Sequence, residues 1–196
     1  MTTQVFGAPP GPPGFLSGAA EWCVGRWWQW RAVLLALLGW DGVSHFRDPE
    51  AGGLFAGITF GVHEFGHLFF GFAGEFMTVL GGSLMQLLIP IGAGLLMYYY
   101  DDFFGIAGAG AWLSSSLFDL ARYIGDPPSL ELDLVGFGDN PQHDWAWLLG
   151  QMGALDQDTR LAGLTRLIGM AVLVGSLWFG GWLCLRMRAA RSGASP

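Results

Sequence analysis

The chain has 196 residues, of which 52% are hydrophobic and only 13% charged, and its formal net charge at pH 7 is −7. Soluble domains carry about a quarter charged residues, so this composition predicts a membrane protein. The negative charge argues against nucleic acid as a partner, because nucleic-acid-binding proteins use basic surfaces to neutralise phosphates.

The N-terminal part of the chain combines a tail with a segment that is typical of a membrane interface. Residues 1–19 are rich in proline and glycine, which predicts a disordered tail. Tryptophans and arginines cluster within residues 20–46, but the strictly apolar run 32–40 is too short to span a core of about 30 Å. We expect a marginal membrane-associated helix there, followed by a solvated loop with a surface His45.

Four apolar segments further along the chain predict transmembrane helices. They are residues 52–74, 77–100, 103–124 and 160–185. The first two are joined by a very short connection, so we expect them to pack as an antiparallel hairpin. Arginines after the last segment favour a cytoplasmic C-terminus, by the excess of basic residues found in cytoplasmic loops.

These segments define the expected architecture. The chain is predicted to be an all-α, polytopic helical membrane protein, with residues 20–190 forming a single domain and residues 191–196 a frayed tail. Residues 125–158 are a polar loop with seven acids and no basic residue, ending in an amphipathic piece at 144–152. We expect a multi-pass integral protein, of the kind found in a bacterial inner membrane.

The chain's most specific pattern is His63-Glu64-Phe65-Gly66-His67, inside the first predicted span. Two histidines four residues apart project from one face of a helix and suit a single zinc ion. The glutamate then faces the open position of the metal, where it can take a proton from water. Three polar groups with apolar flanks are costly in hydrocarbon unless they share a function. The alternative is a helix with two hydrogen-bonded histidines and a neutral glutamate.

A catalytic zinc site needs a third protein ligand. His143 is one of four histidines in the chain and lies beside the membrane-seeking piece 144–152, so it is the favoured candidate. Its neighbour Asp144 and the more distant Asp119 are the alternatives. Gln86, the strongly polar side chain of the second span, either binds a substrate carbonyl or makes an interhelical hydrogen bond.

The motif in its apolar helix resembles the site-2 protease family of intramembrane zinc metallopeptidases. The segment Gly81-Gly82-Ser83-Leu84-Met85-Gln86 is similar to that family's small-residue segment, although the family carries a substrate-contacting asparagine where this chain has Gln86. The family's third ligand is an aspartate in a Leu-Asp-Gly setting, whereas this chain has Phe118-Asp119-Leu120.

The resemblance implies a zinc-dependent intramembrane metalloprotease. His63 and His67 would bind Zn²⁺, with His143 as the third ligand that the residues themselves favour. Glu64 would activate water to cleave a peptide bond in a membrane protein or peptide substrate within the lipid bilayer. Two alternatives belong to other classes. One is a zinc hydrolase of lipid amides or esters, and the other is a scaffold or regulator whose metal site is structural or vestigial.

Overall fold

The computed structural model describes residues 14–48, 52–126 and 143–193. Within these ranges the chain forms seven α-helices and no strand, which confirms the all-α prediction. The helices are α1 (Phe15–Trp22), α2 (Gln29–Arg47), α3 (Ala56–Phe70), α4 (Glu75–Tyr99), α5 (Phe103–Gly125), α6 (Asp144–Met152) and α7 (Asp158–Ser192). Short 3-10 turns at Gly71–Ala73 and Leu155–Gln157 precede α4 and α7.

Three stretches of helix in the described ranges are long and apolar enough to cross a membrane, not the four that the sequence predicts. They are Glu75–Tyr99, Phe103–Gly125 and Leu155–Ser192. The predicted span 52–74 is instead the 15-residue helix α3, which at 1.5 Å per residue reaches about 22 Å and falls short of a bilayer core. The three candidate spans are consistent with a membrane protein.

The α5 helix lies at the centre of the bundle. It packs against both α4 and α7, and 61% of its most apolar window is buried, compared with 33% for each of the other two candidate spans. Small buried residues on α5, such as Ala107, Ala109 and Ala111, allow the neighbouring helices to approach closely. Because α5 is central, the residues at its C-terminal end lie against neighbouring helices.

Helices α3 and α4 form the expected antiparallel hairpin, and their backbones touch. Gly74, with φ of 92°, makes the sharp turn into α4 that a residue with a side chain would rarely adopt. A methyl group added at Gly66 would collide with the carbonyl of Gly81, and one added at Gly81 would lie 2.7 Å from the carbonyl oxygen of Gly66. The close contact sets the face of α3 that carries His63 and His67 directly against the first turns of α4.

The N-terminal part of the chain differs from its prediction at two points. Helix α1 begins at Phe15, inside the predicted 1–19 tail, while residues 1–13 lie outside the described ranges. Helix α2 continues to Arg47, so the prediction of a surface His45 in a loop is wrong. The His45 side chain is buried, and its Nε2 lies 2.8 Å from Oδ1 of Asp119 on α5.

This buried pair should make folding stability depend on pH. The hydrogen bond with Asp119 raises the pKa of His45 above its ordinary value; burial and Arg122 oppose this, and Asp41 adds to it. The contribution of His45 to the free energy of unfolding is therefore complete below the pKa of about 6.5 that the histidine has in the unfolded chain. It is lost as the pH rises through the higher pKa of His45 in the folded protein. We expect the melting temperature in detergent to fall as the pH rises above about 6.5, and to fall less in a His45→Gln variant. An equal fall in both proteins would contradict this assignment.

Candidate metal centre

Three side chains from two helices converge beside the start of α4. His63 and His67 come from α3, and Asp144 is the first residue of α6. Oδ2 of Asp144 lies 3.1 Å from Nε2 of His63 and 3.2 Å from Nε2 of His67, and the three candidate ligand atoms lie within 4.8 Å of one another. The group could hold a metal ion.

The far side of each imidazole is fixed by a hydrogen-bond acceptor. Nδ1 of His67 lies 2.8 Å from the carbonyl oxygen of Thr78, and Nδ1 of His63 lies 3.0 Å from Oε1 of Gln86. Exchanging the amide oxygen and nitrogen of Gln86 would lose a second hydrogen bond, because its Nε2 donates to the carbonyl oxygen of Ser116 at 2.8 Å. Both rings must therefore donate from Nδ1, and a neutral ring of this kind presents an unprotonated Nε2.

This protonation pattern leaves an electrostatic problem that a cation would solve. Two Nε2 lone pairs face one anionic oxygen of Asp144 at 3.1 and 3.2 Å, which is repulsive unless protons or a positive ion lie between them. The side chains of His63, His67 and Asp144 are only 12%, 22% and 11% exposed, so water screens them little. Ligands 2.0–2.1 Å from a tetrahedral ion are about 3.3 Å apart, close to the observed distances.

The carboxyl group of Asp144 is ionised, as a metal ligand must be. Its burial raises the pKa of this carboxyl, but the hydrogen bonds and charges of His63 and His67 act in the opposite direction and prevail, so the pKa of Asp144 is lowered. Those hydrogen bonds need a proton on the Nε2 side of each ring; with a metal ion in place of the protons, the group would offer two neutral nitrogens and one anionic oxygen.

Helix α6 is held over the hairpin by contacts on both sides of Asp144. The backbone N–H of Asp144 donates to the hydroxyl of Tyr123 at 3.0 Å, and the indole N–H of Trp145 donates to Ser83 Oγ at 3.1 Å. Leu148 and Leu149 are almost fully buried beneath the helix. The predicted amphipathic piece 144–152 is therefore the helix α6, with its leucines packed inward.

The structure places His143, the favoured third ligand, away from the two other histidines. His143 is the N-cap of α6, where its Nδ1 accepts the backbone N–H of Ala146 at 3.1 Å and its Nε2 lies 3.0 Å from Asp126 Oδ2. A capping side chain turns back over the first turn of its own helix, so the next residue, Asp144, projects toward His63 instead. The other alternative, Asp119, is paired with His45.

The two remaining predicted site residues have contrasting surroundings. Gln86 is buried, and its amide accepts from the ring of His63 and donates to the carbonyl oxygen of Ser116, so it links α3 to α5 behind His63. Glu64 is half-buried and forms no hydrogen bond or ion pair with the described part of the chain. Its charge acts on His67 and Tyr123, which places the carboxylate in the neighbourhood of the group.

Gly82 provides the space between the two imidazoles. A methyl group built on Gly82 would lie 2.6 Å from Nε2 of His63 and 2.6 Å from Nε2 of His67. A side chain at this position would therefore collide with both candidate nitrogen ligands. The glycine on α4 therefore belongs to the site although it has no side chain.

A Gly82→Ala variant should lose metal affinity, by about 100-fold or more, because the added methyl would push Nε2 of His63 and Nε2 of His67 out of place. Gly92→Ala is the matched control: Gly92 is on the same helix, and nothing lies within 4 Å of a methyl added there. Competition with a chromophoric zinc chelator measures both affinities. Wild-type affinity in Gly82→Ala would show that the ion is held elsewhere.

Two contributors to this group were missed by sequence reasoning. Thr78 contributes only a backbone carbonyl, which no side-chain pattern reports. Tyr123 lies near the end of the predicted span 103–124, and a hydroxyl at the C-terminal end of a buried helix is the signal that the sequence offers.

The comparisons with known proteins add nothing to this geometry. The identification of the group as a candidate metal centre depends on its distances, ring protonation and burial. No protein-family model, curated protein or solved structure matches the chain.

Proposed function

We propose that this protein is a zinc-dependent intramembrane metalloprotease, similar in its chemistry to the site-2 proteases that its motif resembles. One observation supports this above the others. Two imidazole nitrogens and a carboxylate oxygen converge at 3.1 and 3.2 Å in a mostly buried position, one residue away from a glutamate without a partner in the described ranges. This combination has the parts of a hydrolytic metal site.

Zinc suits the donor set. Catalytic zinc sites commonly have three nitrogen or oxygen ligands from the protein and keep one further position open. His63, His67 and Asp144 would supply those ligands, and the ion would lower the pKa of a water molecule at the open position toward neutrality. Thr78 and Gln86 hold each imidazole in the protonation state that binding requires.

Glu64 is the proposed general base. Its carboxylate accepts a proton from the attacking water and then delivers that proton to the nitrogen of the leaving amine. A carboxylate already engaged in an ion pair would be a poorer base, and Glu64 forms none with the described residues. Its half-buried position on α3 keeps it close to His63 along the same helix.

The surroundings of the group favour a substrate that approaches from the membrane. Apolar side chains on α3 point away from the bundle, with Phe65 52%, Leu68 72% and Phe69 49% exposed. His67 is the more exposed of the two histidines. A substrate helix lying against α3 would have to unwind locally, because a helical backbone shields its own carbonyl groups.

The proposed function can be tested with reconstituted protein and two classes of substrate. One arm uses a library of labelled single-span peptides in the same bilayer, and the other uses labelled lipid extract. Peptide cleavage that stops when zinc is chelated and resumes when zinc is restored supports the proposal. Release of products from lipid alone would replace it with a lipid hydrolase, and a zinc-loaded protein inactive in both arms would favour a structural metal site.

A further inference from the structure

The end of the bundle opposite the metal centre carries a cluster of arginines. We call this the arginine end. It consists of five arginines at the α1–α2 junction and the C-terminal end of α7: Arg26, Arg31, Arg186, Arg188 and Arg191. Arg191 lies over the ring of Trp27 at 3.5 Å, which brings the two segments together. Helix α7 has 35 residues, or about 52 Å, and separates this end from the helix start near α6.

Each of these arginines lies over a tryptophan ring. The guanidinium carbons lie between 3.5 and 5.8 Å from the nearest indole centroids, those of Trp22, Trp27, Trp28, Trp30 and Trp182. None of the five forms an ion pair with a carboxylate in the described ranges. Asp102 acts electrostatically on Arg31, and Glu21 and Asp101 lie at the same end. Five arginines still outnumber these three acids, so this end keeps a net positive charge.

Contact with a ring leaves most of the N–H donors of these side chains unused. A guanidinium lying flat on a ring keeps its in-plane N–H donors available for a bidentate anion such as a phosphate. Arg26 and Arg31 each donate to one backbone carbonyl, and the buried Nε of Arg31 has no partner. Trp27 and Trp30 are 57% and 53% exposed, which suits the headgroup depth of a bilayer.

We propose that the arginine end binds the headgroups of anionic phospholipids in one leaflet of the bilayer. The tryptophans set the depth of this end in the interface, and the arginines select headgroups that carry a net negative charge. The opposite end, with the metal centre, carries the acidic side chains of Asp126, Asp144, Asp156 and Asp158. Arg47 and Arg160 also lie at that end, but the four aspartates outnumber them, so charge complementarity favours anionic lipid at the arginine end.

Spin-labelled lipids test this proposal with the whole protein in phosphatidylcholine vesicles. The relative association of labelled phosphatidylglycerol and labelled phosphatidylcholine is measured by electron spin resonance. Wild-type protein should prefer phosphatidylglycerol. In an Arg188→Gln/Arg191→Gln variant, the ratio of phosphatidylglycerol to phosphatidylcholine association should be about fivefold or more lower. The matched control, Arg47→Gln/Arg160→Gln, removes two exposed arginines from the other end and should keep it.

Two further measurements on the wild-type protein do not depend on the variants folding. The preference should weaken as salt is added, since screening acts on exposed charges. Inorganic phosphate should displace the lipid no better than chloride at equal ionic strength. Equal association of the two lipids, a preference insensitive to salt, a full preference in the Arg188→Gln/Arg191→Gln variant, or selective displacement by phosphate would overturn the proposal.

Discussion

A Glu64→Gln variant is expected to bind zinc like the wild-type protein and to cleave peptide at least about 1,000-fold more slowly. Glutamine keeps the size and hydrogen-bonding shape of the side chain but cannot accept a proton from water. None of the three proposed ligands is altered, so metal affinity should not change. The measurements are the turnover rate on a peptide identified with the reconstituted protein and the zinc content by mass spectrometry.

Glu75→Gln is a suitable control for this variant. Glu75 is the exposed first residue of α4. Its replacement by glutamine removes the same charge as Glu64→Gln but leaves the residues of the metal centre unchanged. Its turnover should match that of the wild-type protein. Unchanged turnover in Glu64→Gln would refute the role of Glu64 as the base, and loss of zinc in that variant would show that Glu64 is a ligand.

An Asp144→Asn variant is expected to lose about 100-fold or more in zinc affinity, because a neutral amide replaces the anionic ligand. The adjacent residue provides a sharp comparison. In His143→Asn, asparagine retains a good N-cap for α6 while the imidazole is removed. This second variant should bind one equivalent of zinc.

Titration with a chromophoric chelator measures both affinities under the same conditions. The opposite pattern, with zinc lost in His143→Asn and kept in Asp144→Asn, would make His143 the third ligand and contradict the observed geometry. The two residues are neighbours in the chain, so a general disturbance of α6 would affect both variants alike. The difference between them therefore reports ligand identity.

Most helices could be predicted from the sequence because their signals are local. The predicted spans 77–100 and 103–124 agree within two residues with Glu75–Tyr99 and Phe103–Gly125, and the amphipathic piece 144–152 is α6. Each combines an apolar stretch with polar residues at its ends. The predicted span 52–74 failed because apolar composition continues beyond the helix, which begins only at Ala56 and ends before the turn at Gly74.

Of the candidate metal centre, only the two residues that lie on one helix could be predicted from the sequence. His63 and His67 lie four residues apart, so a single regular helix brings them together. The third residue comes from another helix, and the choice between His143 and Asp144 depends on which of them caps α6. That choice follows from local backbone geometry and from Asp126, which lies 17 positions before His143.

His45 illustrates the same limit in the core. A histidine followed by charged residues and a proline is typical of a loop, yet α2 continues through it and buries the ring against Asp119. The pairing joins residues that are 74 positions apart in the chain. No pattern near His45 reports such a partner, because burial there is decided by how α2 packs on α5.

X-ray absorption spectroscopy of zinc in the purified wild-type protein tests the central claim most directly. We expect one equivalent of zinc with two imidazole nitrogens, one carboxylate oxygen and a further light ligand from solvent, at distances of about 2.0–2.2 Å. Protein that binds no zinc, or zinc enclosed by four ligands from the protein, would contradict a catalytic centre formed by His63, His67 and Asp144.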